Sequence, residues 1–226
     1  MTSVMKPIVF FDIGWTLEDE ADAQAHRARS AVAALERRGI AVTPERILEL
    51  QEEGASAMAP SVFAYALRRM CPEEIAGAVE AESEWNKDLL RLYPDARPTV
   101  GELHRTATLG IIANQSAGAR ERLERYGVAH LFATIHSSHD VGAAKPDKAI
   151  FTSALAAVAG DVETVWMVGD RIDNDIVPAR ALGWRTIWIR RGYNRFQNPI
   201  RPEEMPDVRV DTLSEIPAIV AAGRGA

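Results

Sequence analysis

Pro7-Ile8-Val9-Phe10-Phe11-Asp12 is an apolar run that passes without a polar break into an aspartate. A half-exposed strand alternates apolar and polar residues. An unbroken run marks a strand buried on both faces, as in the middle of a parallel sheet. Similar runs return at 107–113, 164–168 and 185–189, with a shorter one at 133–136. Each is followed by a helix-like stretch. Gly127 closes the stretch that begins near Ser116, Pro146 opens one carrying Ile150, Ala154, Leu155 and Val158, and Gly183 stops one that starts near Asn174. Proline at a helix start and glycine just past its end are the expected positions. Val208, Val210 and Leu213, then Ile216, Ile219 and Val220, read as a last strand and a closing helix. Strands alternating with helices predict an α/β fold, a doubly wound parallel sheet with helices on both faces.

The segment from 18 to 97 breaks this rhythm. It has no strand-like run but four helical patterns: Ala21, Ala25, Ala28, Val32 and Leu35 on one face, Ile47, Leu48 and Leu50 after Thr43-Pro44, then Val62, Ala66 and Met70, and lastly Ile75, Val79, Glu82, Trp85 and Leu89. Thr43 suits an N-cap with proline at the first helical position. The organisation expected is therefore an α/β core of residues 1–17 and 98–226 with an all-helical cap, 18–97, inserted between its first strand and the rest.

Composition narrows the function. With 226 residues, 47% apolar and 26% charged, the chain can bury a full core without staples. A formal charge of −6 disfavours a nucleic-acid or anionic-membrane surface. The lone Cys71 excludes a disulfide framework. No apolar run reaches the roughly 18 residues of a membrane span, and the short apolar stretch of MTSVMKPIVFFD runs into Asp12, unlike a signal peptide. A cytoplasmic protein is expected.

In open α/β sheets the ligand site lies beyond the carboxyl ends of the strands. There the sequence places Asp12, then Asn114-Gln115-Ser116, then Lys145-Pro146-Asp147, and finally Gly169-Asp170-Arg171-Ile172-Asp173-Asn174-Asp175. Crowded carboxylates repel one another unless a hard cation joins them, and Mg²⁺ takes a few carboxylates together with water and substrate phosphate. A nucleophilic aspartate, Mg²⁺ and a lysine together suit phosphoryl transfer.

The set FFDIGWTL, GIIANQS, AAKPDKAIF and VWMVGDRIDNDI resembles, in order and spacing, the four motifs of the haloacid dehalogenase (HAD) superfamily. The insertion just after the first motif resembles the helical C1 cap of its subfamily I. The resemblance implies a Rossmann-like core, Mg²⁺, an aspartyl-phosphate intermediate and a small phosphorylated metabolite as substrate. Asp12 matches the nucleophile and a metal ligand, and Lys145 the lysine that orients nucleophile and phosphoryl group. Asp170 and Asp175 match the acidic metal ligands, and Gly14 the position that ligates through its backbone carbonyl. Thr16, Asn114, Gln115 and Ser116 match phosphate-binding positions, while Asp173 and Asn174 support the last loop.

Three positions depart from the family pattern. Gly14 stands where phosphatases carry a second, acid–base aspartate, Ala113 where motif two has Ser or Thr, and Trp15 where a small residue is usual. A positioned general acid contributes about 10²–10⁴-fold in rate. These departures leave four readings. One is a phosphatase for good leaving groups such as acyl or aryl phosphates. A phosphonatase-like enzyme is the second, although Lys87, the only cap lysine, lies far from the family's position at Glu53. A 2-haloacid dehalogenase is the third, although that branch lacks the aspartate found here at 170. The fourth is a HAD-fold binding or regulatory protein without turnover.

Overall fold

The run at the start forms β1 (Ile8–Phe11), with all four side chains buried. Val9 and Phe11 join Leu109, Ile111, Val168 and Ile187 in one apolar cluster. Ile8 and Phe10 join Ile112, Met167, Ile150 and Phe151 in another. Successive strand side chains point to opposite faces, so covering both faces demands an unbroken apolar run. The computed structural model of the chain describes residues 6–158 and 164–223. Residues 1–5, part of the stretch read as lacking a signal peptide, lie outside them.

After β1 the elements are β2 (Glu18–Asp19), α1 (Ala21–Glu36), α2 (Pro44–Ser56), α3 (Val62–Arg68), α4 (Glu73–Glu82) and β3 (Arg91–Leu92). Next come α5 (Ala96–His104), β4 (Thr108–Ala113), α6 (Ala119–Arg125), β5 (Thr134–Ser137), α7 (Ser138–Val141) and α8 (Lys148–Ala157). The series closes with β6 (Val165–Gly169), α9 (Val177–Arg180), β7 (Arg185–Ile189), β8 (Val208–Val210) and α10 (Ile216–Ala222). Six strands form one sheet in the order β5-β4-β1-β6-β7-β8, and every pairing in it is parallel. The α/β sheet expected from the sequence is the one found. Phe10 crosses so close to β4 that a Cβ on Gly110 would lie 2.5 Å from its ring. From β1 the chain proceeds to β4 on one side, and from β6 to β7 on the other. The switch point of this sheet, where ligands bind in such folds, thus lies between the carboxyl ends of β1 and β6.

The chain divides into two compact units, one of residues 1–18, 92–191 and 199–226, the other of 19–91 and 192–198. It leaves the first through β2 and returns through β3, which pair as a two-stranded ribbon. The second unit is helical, built on Ala28, Ala31, Leu35, Ile47, Leu50, Phe63, Leu67 and Val79. Thr43 caps α2 as expected, its hydroxyl accepting from the Arg46 N–H at 3.3 Å. The fourth helical pattern is shorter than the spacing suggests. α4 ends at Glu82, where Ser83 turns its hydroxyl back onto the Val79 carbonyl at 2.6 Å. Residues 192–198, which follow β7, pack in the helical unit, where Tyr193 accepts a hydrogen bond from the Gln51 amide at 3.3 Å. Among the described residues no helix is long and apolar enough to cross a membrane.

Candidate active site

Asp12 directly follows β1, and its N–H is bound by the Val168 carbonyl at 2.9 Å, which fixes the carboxylate at the sheet edge. Asp170 directly follows β6, its carbonyl held by the Trp188 indole N–H at 2.7 Å. Asp175 comes from a five-residue π turn, Ile172–Ile176, so the helix expected from Asn174 starts instead at Val177, with Pro178 second in it. That turn is pinned by Asp175 itself. Its N–H donates to the Arg171 carbonyl at 2.9 Å and its Oδ2 accepts the Arg171 N–H at 3.0 Å. Carboxylate oxygens of Asp12, Asp170 and Asp175 lie within 4.8 Å of one another, and all three residues are buried.

Lys145 enters this cluster from the loop before α8. Its Nζ donates to Asp12 Oδ1 at 2.5 Å and to Asp175 Oδ1 at 2.6 Å. Burial acts to lower the ammonium pKa, but the Asp12 and Asp175 charges outweigh it and hold the pKa above its ordinary value. Lys145 therefore stays charged throughout the neutral range. Burial pushes the Asp175 carboxyl up to about 6; Lys145 opposes that rise and Asp12 reinforces it. Three buried carboxylates against one ammonium is a negative, all-oxygen donor set, which is what a hard divalent cation takes.

Of the other residues singled out in the sequence, Asn114, Gln115 and Ser116 line an open cavity of about 510 Å³ together with Ser138 and His139. The Asn114 side chain is already committed. Its Nδ2 donates to the Lys145 carbonyl at 2.8 Å and its Oδ1 accepts the Lys145 N–H at 2.7 Å, so the amide clamps the lysine's backbone. Gln115 Oε1 accepts from Arg122 at 2.9 Å. Ser116 is exposed, and the Thr16 hydroxyl is buried with no partner among the described residues. Gly14 bridges to Glu18 inside the loop after Asp12, where Trp15 takes a φ of +53°. Asp173 pairs with Arg171 at 2.5 Å, bracing the π turn. Arg191, two residues beyond β7, is bound to Asp95 at 2.5 Å and stacked over Tyr93. Sequence reasoning also missed Glu18 and Arg122, a buried pair with Nε–Oε1 at 2.6 Å. No local pattern signals partners 104 positions apart.

Asp175 also explains Gly169. A Cβ there would lie 2.3 Å from the Asp175 carboxyl carbon. Gly169→Ala is expected to displace that carboxylate and weaken any divalent-cation binding at the cluster about 10-fold or more, as supporting-residue changes do. Calorimetric titration with Mg²⁺ checks this, and wild-type affinity in the folded variant would mean that Asp175 does not hold the ion.

The fold and site define an α/β protein with a parallel sheet and an acidic cluster and lysine at its switch point, and sequence comparison gives its family. Residues 9–189 match the haloacid dehalogenase-like hydrolase family, to which the chain belongs. It is 30% identical over 223 residues to glyceraldehyde 3-phosphate phosphatase of Methanopyrus kandleri, covering 94% of this chain and 96% of the relative. Over 152 residues it is 36% identical to phosphoserine phosphatase of Thermus thermophilus, covering 64% of this chain and 59% of that one. Among solved structures it is similar to the HAD-hydrolase YfnB from Bacillus subtilis, bound to magnesium. The TM-score is 0.69 and the identity 20%, over 96% of this chain and 99% of that one.

Proposed function

We propose that this hydrolase is a Mg²⁺-dependent phosphatase of a small phosphorylated metabolite, working through a phosphoryl group carried on Asp12. The observation that carries the reading is the buried cluster in which one lysine binds both Asp12 and Asp175 beside Asp170. The phosphatase relatives support it. Asp12, Asp170 and Asp175 would hold the metal, with the Gly14 carbonyl. When bound, a divalent cation neutralises charge on the transferring phosphoryl group. An Asp12 carboxylate oxygen attacks phosphorus, and the bond to the leaving oxygen breaks, that oxygen keeping the electron pair. Water then attacks the same phosphorus, the bond to Asp12 breaks, and phosphate leaves. Lys145 orients the attacking carboxylate and offsets phosphoryl charge, while Asn114 fixes the lysine's backbone.

Gly14 has no side chain to protonate a departing alkoxide. The favoured substrates are therefore those whose leaving oxygen is a weak base, and Ala113 adds no hydroxyl donor of its own. The reading is tested with acetyl phosphate and para-nitrophenyl phosphate against glyceraldehyde 3-phosphate and phosphoserine, with Mg²⁺ and with chelator. Hydrolysis is expected to need Mg²⁺ and to favour the first two. Gly14→Asp is expected to raise turnover of the alkyl esters by about 10²-fold or more. Silence on all four, in folded Mg²⁺-bound protein, would overturn the reading. Turnover with no gain in Gly14→Asp would mean that the leaving group needs no acid from this loop.

A further inference from the structure

The loop that leaves Asp12 is closed on itself. The N–H groups of Thr16, Leu17 and Glu18 all converge on the Ile13 carbonyl, at 3.3, 2.8 and 2.8 Å. Glu18 ends this loop and is fully buried. Arg122 on α6, buried too, grips its carboxylate in a fork, Nε to Oε1 at 2.6 Å and Nη2 to Oε2 at 3.1 Å. The same Nη2 donates to Gln115 Oε1 at 2.9 Å. Tyr126, four residues further along, lies against the same carboxylate; burial first, then that charge, pushes its phenol up to about 12.

Stability alone is a weak reason for this arrangement. Neutral side chains of the same volume fill such a space about as well as a buried ion pair. Arg122 also leaves its Nη1 buried with no partner among the described residues, which carries a penalty. What a bidentate guanidinium adds is direction. One guanidinium joins the loop of the attacking aspartate to the loop of Gln115. Beside Gln115, Asn114 clamps the backbone of Lys145 at 2.7 and 2.8 Å. The connection runs from Asp12 along its closed loop to Glu18, through the Arg122 guanidinium to Gln115, and along the backbone to Asn114, which holds Lys145.

We propose that Arg122 is a positioning residue, which through Glu18 and Gln115 sets the register between Asp12 and Lys145. As a statement about turnover this rests on the phosphatase reading; as a statement about the loop it does not. The test is the double variant Glu18→Met/Arg122→Met, which removes both charges together and keeps the volume. It is expected to fold with Tm close to wild type, yet to lose about 10-fold or more in kcat, since small misplacement of reacting groups costs on the order of 10²-fold. Amide hydrogens of Leu17 and Glu18 are expected to exchange faster. Arg122→Lys keeps the charge without the fork and is expected to lose less. Wild-type kcat with unchanged exchange at residues 13–18, in the folded double variant, would overturn the proposal. Should the double variant not fold, the same null result in Arg122→Lys overturns it. If the wild-type chain hydrolyses no phosphate ester, the phosphatase reading fails, while the exchange rates still decide the positioning.

Discussion

Asp12→Asn is expected to lower turnover by at least about 10⁴-fold, the scale at which removing a nucleophile acts, while leaving the fold in place. An amide is a poor nucleophile and cannot carry a phosphoryl group as the acyl phosphate that a carboxylate forms. The structural cost is small because no charge is stranded. Lys145 keeps Asp175 at 2.6 Å, and the new amide oxygen still accepts from Nζ where Asp12 Oδ1 did at 2.5 Å. A destabilisation under about 2 kcal/mol is expected from exchanging a charged for a neutral acceptor. Steady-state phosphate release and thermal melting, run side by side, check both halves. An active variant would remove Asp12 from the chemistry, and an unfolded one would mean that its charge holds the sheet edge together.

Lys145→Met acts on the same cluster with the opposite balance. Asp12 and Asp175 then face each other, buried, with no ammonium between them. Removing one partner of a buried ionic group costs on the order of 3–5 kcal/mol, and loss of a charged donor to the reacting group costs about 10²–10³-fold in rate. The pH dependence has a definite sign. In the wild type without metal, Asp175 is already pushed up to about 6, chiefly by burial, against an ordinary carboxyl near 3.9. An acid raised on folding holds a proton that the unfolded chain releases. It therefore contributes stability that is full below the unfolded value and is lost as pH rises through the folded one. Without Lys145 that loss extends to higher pH. The variant is expected to be weakest in alkaline, metal-free solution, to approach wild type on acidification, and to regain stability with Mg²⁺, which takes over the neutralising role. Urea unfolding with chelator across pH measures this. Equal midpoints for variant and wild type at alkaline pH would contradict the pairing.

The sheet was legible because β1, β4, β6 and β7 are covered on both faces and so read as apolar runs, and because their carboxyl ends carry the chemical side chains. Asp12, Lys145, Asp170 and Asp175 could be gathered on that ground alone. What stayed hidden was set by contacts between distant residues. Nothing in Asn114-Gln115-Ser116 indicates that the asparagine amide clamps the Lys145 backbone. Glu18 and Arg122 look, in sequence, like two solvated charges, yet they are a buried pair. The segment 192–198 carries no local sign that it packs with helices rather than with the strand it follows, because Tyr193 is recruited by Gln51, 142 positions away. β2 and β3 are two residues each, too short for any period to register. The π turn was concealed because its geometry comes from the Asp175 carboxylate closing on Arg171, not from helix propensity.

The most direct measurement is acid quench of the wild-type enzyme during turnover of acetyl phosphate with Mg²⁺, followed by peptide mass analysis. One phosphoryl group is expected on the peptide containing Asp12, labile to base and lost when the acetyl phosphate is exhausted before quench. Turnover that proceeds with no phosphoryl group on that peptide, or with one on another residue, would contradict the assignment of Asp12 as the attacking group.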